Sequence, residues 1–291
     1  MNTYLYEKCF LTPDMISFSP VWSEGKRYNS DTTRDNSMNN LQANEEKNYL
    51  SFKSTLKIRY AIRLLTQIAK IQTCPNLNGK GSFNFYLNMI TLTLPAPQGS
   101  ITDKEVKKYC LDRFLTMIRR RKGCSHYVWR AESQSNGNIH FHIITNTYIH
   151  YEEVQKFWNT VLYSTPFMQY FYSKFNHYNP PTTHIKSLRN KEKAIDYIVK
   201  YVKKEKEGYR MIEGRKYGCS QSLSHSNRLN FECVDDFQRL PYDISVIFQD
   251  RFQYGKSAKY TLMSMEKDNK RIPKHLKEKY NNWLSEIRDS N

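Results

Sequence analysis

The sequence predicts an α+β fold, an antiparallel sheet with helices packed on one face, carrying N- and C-terminal extensions. Three observations predict it. A β-branched apolar run ends abruptly at Pro95 and Pro97, an Asn136-Gly137 pair joins two alternating segments, and stretches of helical period separate the strands.

The first fifty residues are polar, and from 29 to 48 charges and amides alternate without apolar periodicity, so they read as an arm. From 51 to 71, Ile58, Ala61, Ile62, Leu65, Ile68 and Ala69 recur at helical spacing, with Arg59, Arg63 and Lys70 opposite, which predicts an amphipathic basic helix. Residues 86–94 (YLNMITLTL) read as a buried strand. Thr102 or Asp103 can then cap a helix to about residue 121, with Val106, Cys110, Phe114, Met117 and Ile118 on one face and Gly123 closing it. Strands are expected at 127–132 and 138–145, antiparallel across the Asn-Gly turn. A helix at about 152–162, a Tyr/Phe/Pro-rich loop, a short strand at 183–187 and a helix at about 191–204 complete the order β-α-β-β-α-β-α. That order is the split βαβ or ferredoxin-like arrangement, as in RNA-recognition domains, and it leaves one sheet face free for a ligand. Farther on, 214–224 reads as a turn and strand, 243–252 has no single reading, and 273–287 is expected to be a terminal helix. The resulting division is an arm at 1–50, a basic helix and linker at 51–85, the sheet domain at 86–224 and a C-terminal extension at 225–291.

Lys+Arg 45 against Asp+Glu 28 gives a formal charge of +17, more than solubility requires, so a polyanion is the expected partner. Nucleic acid leads. No apolar run reaches the roughly 18 residues of a membrane span and no signal-peptide core is present, so a cytoplasmic protein with no membrane partner is expected. The six cysteines contain no CxxC pair, which excludes a zinc ribbon or a disulfide framework by spacing and predicts reduced thiols. Many of the 22 tyrosines lie among basic residues, as in stacking platforms for unpaired bases, although folded cores enrich tyrosine as well.

The chemistry concentrates at two places. His140 and His142, two apart on a strand, project from one face while Ile139, Phe141 and Ile143 project from the other. Val128, Arg130 and Glu132 share a face of the paired strand, so the hairpin can bring the Glu132 carboxylate beside both imidazoles, an open divalent site. Taken alone, the histidine pair reads equally as polar residues on an exposed sheet face. His184 is the other histidine of interest, because its strand should border the sheet.

On the helix expected at 191–204, Ala194, Ile195, Ile198, Val199 and Val202 form an apolar stripe. Tyr197 and Tyr201 lie one turn apart at its edge, with Lys200 and Lys204 just beyond. A phenol, with a free pKa of about 10, is a poor nucleophile until cations stabilise the phenolate, and nearby lysines supply that field. An amphipathic helix with aromatic edges and a solvated basic face explains the same residues structurally.

Together these residues resemble the HUH endonucleases, the superfamily of rolling-circle initiators (Rep proteins), relaxases and small transposases named for histidine-hydrophobe-histidine. Ile90 to Leu94 is similar to the first initiator motif, Glu132 with His140 and His142 to the metal motif, and Tyr197, Lys200, Tyr201 and Lys204 to the tyrosine motif, in that chain order. Tyrosines that follow the metal motif, with a glutamate as third ligand, favour the replication branch over relaxases. The stretches NGNIHFHI at 136–143 and GRKYGCS at 214–220 look most like Rep proteins of single-stranded DNA phages and plasmids of Bacteroidetes-type hosts. The resemblance implies that Glu132, His140 and His142 hold Mg²⁺ or Mn²⁺, that Tyr197 attacks phosphorus to leave a 5′-phosphotyrosine, that Tyr201 acts when the origin is regenerated, and that Lys200 orients the phosphate or balances the phenolate. It implies single-stranded origin DNA as substrate, with a host polymerase and helicase as partners; Gly255-Lys256-Ser257 lacks the first glycine of a P-loop, so no helicase of its own follows. Lys186, Arg189, Lys191, Lys193, Lys203, Lys206, Arg210, Arg215 and Lys216 are expected to form a DNA track beside the tyrosine helix. The competing readings are a non-catalytic RNA-recognition-like binding module, a single-tyrosine transposase and a relaxase.

Overall fold

The computed structural model describes residues 4–11, 13, 15–22, 52–76, 80–189, 210–224, 230–233, 247–250, 258–264 and 274–290. The chain forms two compact units, one from 1–36 with 225–289 and the other from 37–224 with the last two residues. It starts with strands β1 (Tyr4–Leu11) and β2 (Met15–Trp22), paired as an antiparallel hairpin within the stretch that reads from sequence as an arm.

The 37–224 unit begins with helix α1 (Phe52–Ile68), and a short antiparallel hairpin follows from β3 (Gln72–Pro75) and β4 (Ser82–Phe85). Strand β5 (Leu87–Leu92) then enters the main sheet. The next helix runs as α2 (Asp103–Val106), a π-helical turn (Lys107–Leu111) and α3 (Asp112–Lys122). Thr102 is its N-cap, in a capping box with Glu105, and Gly123 ends it in the left-handed conformation at φ 62°. Strands β6 (Tyr127–Ser133) and β7 (Ile139–Thr145) pair antiparallel across a turn in which Gly137 takes φ 84°. Helix α4 (Tyr151–Leu162) follows, then α5 (Pro166–Phe175), strand β8 (Thr183–Leu188) and the short β9 (Tyr217–Cys219). Helix α5 occupies the stretch that reads as a loop. Its Pro166 sits in the first turn, where the missing N–H costs nothing, and Asn176 closes it at φ 53°.

The strand order is β8-β5-β7-β6-β9, every neighbour antiparallel. The first four are the split βαβ order, with β9 added at one edge. One face is dry: Ile90, Leu92, Phe141 and Ile143 are fully buried against Leu111, Phe114, Val154, Trp158 and Met168 of the helices. Phe114 and Trp158 meet edge to face at 5.8 Å, and Trp158 Nε1 donates to the Thr93 carbonyl at 2.8 Å, which ties helix α4 to the end of β5. The opposite face is open only in part. Met89, Val128 and Ile144 on that face are buried, and α1 packs against β6 and β9 there. That contact explains why Tyr60, Ile62 and Leu64 of α1 are buried beside the expected stripe while Arg63 is exposed.

In the other unit, β10 (Asn230–Cys233), β11 (Ile247–Asp250) and β12 (Ala258–Ser264) join β1 and β2 in a sheet ordered β10-β1-β2-β12-β11. Helix α6 (Lys274–Asp289) corresponds to the expected terminal helix. The β1–β2 hairpin is illegible in the sequence because it depends on strands more than two hundred residues away, β10 pairing with β1 and β12 with β2.

Candidate metal centre

The register of β6 on β7 sets the site. Glu132 pairs with His140 and Arg130 with His142, so alternate residues of two strands converge on the part of the sheet that α1 leaves open. Both histidines sit on a strand bonded on both sides, to β5 and to β6, which holds their backbone firmly. The Nε2 atoms of His140 and His142 stand 2.9 Å apart, and Glu132 Oε2 lies 3.5 and 3.6 Å from them. One ligand atom from each of the three residues falls within 4.8 Å of the others, the one such cluster of three or more metal-ligating side chains among the described residues.

The residues fit a divalent ion. Ligands about 2.1 Å from a metal and at right angles stand about 3 Å apart, which is the separation of the two imidazole nitrogens. Glu132 Oε1 and His140 Nδ1 are buried without a hydrogen-bond partner among the described residues, an arrangement costly in a purely structural cluster. Burial works against the Glu132 charge, but hydrogen bonds from His140 and His142 and the charge of Arg130 outweigh it, holding the carboxyl well below the usual carboxylate range. For His142, burial is the largest cause of a lowered pKa, opposed by Glu132 and aided by His140 and Arg130. A carboxylate and a neutral imidazole are the protonation states that metal binding requires.

Two neighbours escape the sequence reading. Thr91 Oγ1 lies 3.0 Å from His142 Nδ1; with the proton on Nδ1, the threonine accepts it and Nε2 turns its lone pair into the site. A signal is present, since Thr91 pairs with His142 on the adjoining strand, but only the register reveals it. Arg130 Nε stands 3.3 Å from Glu132 Oε1, so the guanidinium shares the carboxylate with the site. His184 continues the same row, paired with Thr91 on its far side, and is exposed, outside the cluster.

A second polar constellation lies at the base of the hairpin. The Asp103 side chain is fully buried and accepts from Arg210 Nη1 and Nη2 at 2.7 and 2.6 Å, from Gln98 Nε2 at 2.8 Å and from the Glu213 backbone N–H at 3.0 Å. Arg210 Nη2 also donates to Gln98 Oε1 at 2.9 Å, and its Nε donates to the Gly137 carbonyl. Gln98 in turn accepts from the Ile139 N–H at 3.0 Å. Arg210 is expected from sequence in a DNA track; its guanidinium is instead engaged with Asp103, whose part as an alternative helix cap Thr102 takes alone. Lys186, Arg189 and Arg215 are exposed and Lys216 half-buried. Tyr197, Lys200, Tyr201 and Lys204, with Lys191, Lys193, Lys203 and Lys206, lie outside the described residues.

An antiparallel split βαβ sheet bearing two imidazoles and a carboxylate on its open face defines a protein with a candidate divalent-metal centre. Residues 88–206 match the model of a replication-associated protein family, the ORF2 type of rolling-circle Rep protein, and over that segment the chain is Rep-like. The match includes all three candidate ligands, Thr91 and both tyrosines. Comparison with curated proteins and with solved structures gave no match. No helix among the described residues is long and apolar enough to cross a membrane.

Proposed function

We propose that the protein is a rolling-circle replication initiator that nicks single-stranded origin DNA through a 5′-phosphotyrosine intermediate and rejoins the ends. The carrying observation is the Glu132, His140 and His142 cluster, inside the segment shared with the replication-associated family. Those three side chains hold Mg²⁺ or Mn²⁺, which supplies, when bound, a Lewis acid beside the scissile phosphate.

Thr91 keeps His142 in the tautomer that faces the site, and Glu132 balances positive charge there. Tyr197 gives up its phenolic proton and its oxygen bonds to phosphorus; the bond from phosphorus to the 3′ oxygen breaks, and that oxygen takes a proton to become the 3′-OH from which a host polymerase extends. Lys200 compensates the phenolate charge. Tyr201 repeats the displacement when the origin is regenerated, and the freed 3′-OH attacks the first phosphotyrosine to close the circle. Each exchange replaces one phosphate ester by another, so joining needs no ATP. A phage or plasmid replicon in a bacterial cytoplasm, with a host helicase opening the duplex, suits this chemistry.

The test is a denaturation-resistant adduct between the protein and labelled single-stranded origin DNA in Mn²⁺. Wild type forms it, EDTA abolishes it, and the double substitution Tyr197→Phe with Tyr201→Phe removes it. An adduct that survives in the double variant overturns the tyrosine assignment, and normal cleavage by His140→Ala overturns the metal assignment.

A further inference from the structure

A cavity of about 480 Å³ opens beside the β3–β4 hairpin, lined by Asn76, Phe83, Tyr148, Lys186, Ser187 and Arg189 with Ile185 at its base. Its size is that of small-molecule sites, about 300–1,000 Å³. Its chemistry is mixed in a specific way. Tyr148 is held edge to face by Phe83 at 5.6 Å and by Phe85 at 5.3 Å, which gives a fixed aromatic wall. Lys186 and Arg189 are exposed cations on its rim, and no carboxylate lines it among the described residues. Aromatic rings beside cations, without acidic groups, suit a stacked base with its phosphate.

The cavity also lies on the surface that leads to the metal centre. Lys186 projects from the same face as His184, which is separated from His142 only by Thr91. Two strand spacings of about 4.8 Å and two residues of about 3.3 Å put Lys186 on the order of 12 Å from His142 along the sheet. A single strand whose phosphate sits at the histidines can reach the cavity with a flanking nucleotide.

We propose that this cavity binds one unpaired nucleotide of single-stranded DNA, with its base against Tyr148 and Phe83 and its phosphate between Lys186 and Arg189. The choice of DNA as the polymer rests on the proposed nicking function; the stacking and charge arguments do not.

The experiment measures fluorescence anisotropy of a labelled oligothymidylate and of an abasic oligomer of equal length, both in EDTA, where no nicking occurs. Tyr148→Leu is expected to weaken oligothymidylate binding about 5- to 150-fold and to leave the abasic oligomer unchanged. The surface variant Lys186→Ser with Arg189→Ser, which disturbs no packed group, is expected to weaken both oligomers and to flatten the log–log salt dependence by about 1.4, two single-strand phosphates at about 0.7 each. Oligothymidylate binding unchanged in both variants overturns the proposal, as does an equal loss by Tyr148→Leu on thymidylate and abasic oligomers. Wild type that binds oligothymidylate through these residues but forms no Mn²⁺-dependent adduct refutes the nicking function and leaves the cavity assignment standing.

Discussion

Replacing Arg210 with alanine removes two charge-assisted hydrogen bonds, at 2.6 and 2.7 Å, from the fully buried carboxylate of Asp103. Truncating one partner of a buried ion pair costs about 3–5 kcal/mol, because the other charge is left without compensation. The Arg210 side chain is 35% exposed, and Gln98 and the Glu213 N–H continue to donate, so the lower end, about 3 kcal/mol, is expected. For a folding unit of this size that is a fall in Tm of about 6–12 °C, measured by calorimetry at pH 7. In an Asp103→Asn background the same truncation should cost under about 1 kcal/mol, since no buried charge remains. Burial alone would raise the Asp103 pKa, but the hydrogen bonds from Arg210, Gln98 and Glu213 outweigh it and hold the carboxyl below its usual value. The pair therefore stabilises the fold above the unfolded carboxyl pKa, and that stability disappears as pH falls through the lower folded value. Arg210→Ala should consequently unfold less steeply in acid. A variant melting within about 2 °C of wild type, or one with the same loss in both backgrounds, refutes the reasoning.

Thr91→Val removes the hydroxyl facing His142 Nδ1 and is expected to lower Mn²⁺ affinity by about 10-fold in calorimetric titration; unchanged affinity means that Thr91 does not orient the ring. Gly218→Ala places a Cβ 2.6–2.9 Å from the Trp129 indole, in a strand pair with no room to part, and should cost about 1–3 kcal/mol by denaturant unfolding. Phe141→Ala empties a fully buried site behind the histidines, with a cost of about 3–5 kcal/mol in the same assay. Burial pushes the Lys107 ammonium down to about 8, so between pH 8 and its ordinary value of 10.5 the folded chain has shed a proton that the unfolded chain still carries, and stability rises with pH across that window. Cys110, pushed up to about 12 by burial, acts in the opposite sense from pH 9 upward, so the test is the difference between wild type and Lys107→Met, which should lose the rise.

The split βαβ order and the histidine pair are legible because each rests on local pattern. Alternation along β7 separates Phe141 from His140 and His142, and Asn-Gly states where the hairpin turns. Glu132 is legible for the same reason, since a short turn fixes the register one strand away. What escapes depends on contacts distant in sequence. Thr91 meets His142 across fifty-one positions, and Asp103 meets Arg210 across one hundred and seven. Arg210 shows how this misleads: a basic residue near other basic residues reads as a phosphate contact until a buried aspartate claims it. Helix α5 is lost to composition, because its aromatics, its proline and the terminal Asn176 look like a loop when their positions within a turn are ignored.

The sheet distributes rigidity in a way that suits a strand-cutting protein. The ligands stand on β6 and β7, and β7 has hydrogen-bonded neighbours on both sides, so a bound ion would meet side chains whose backbone has little freedom. The row then runs outward through Thr91 on β5 to His184 on β8, which ends the sheet among the described residues. An edge strand leaves backbone groups and exposed side chains accessible to a partner, a liability where aggregation threatens and an opportunity where an extended polymer must be received. On that edge the exposed residues are His184, Lys186 and Arg189, polar or cationic, which discourages another β-strand and attracts phosphate. Helix α1 closes the alternative by burying Met89, Val128 and Ile144, so the open surface is a band and not the whole face. Chemistry at the centre and reception at the rim follow from the same antiparallel register, since a slip of one residue would turn His140, His142 and Lys186 into the helix-covered core.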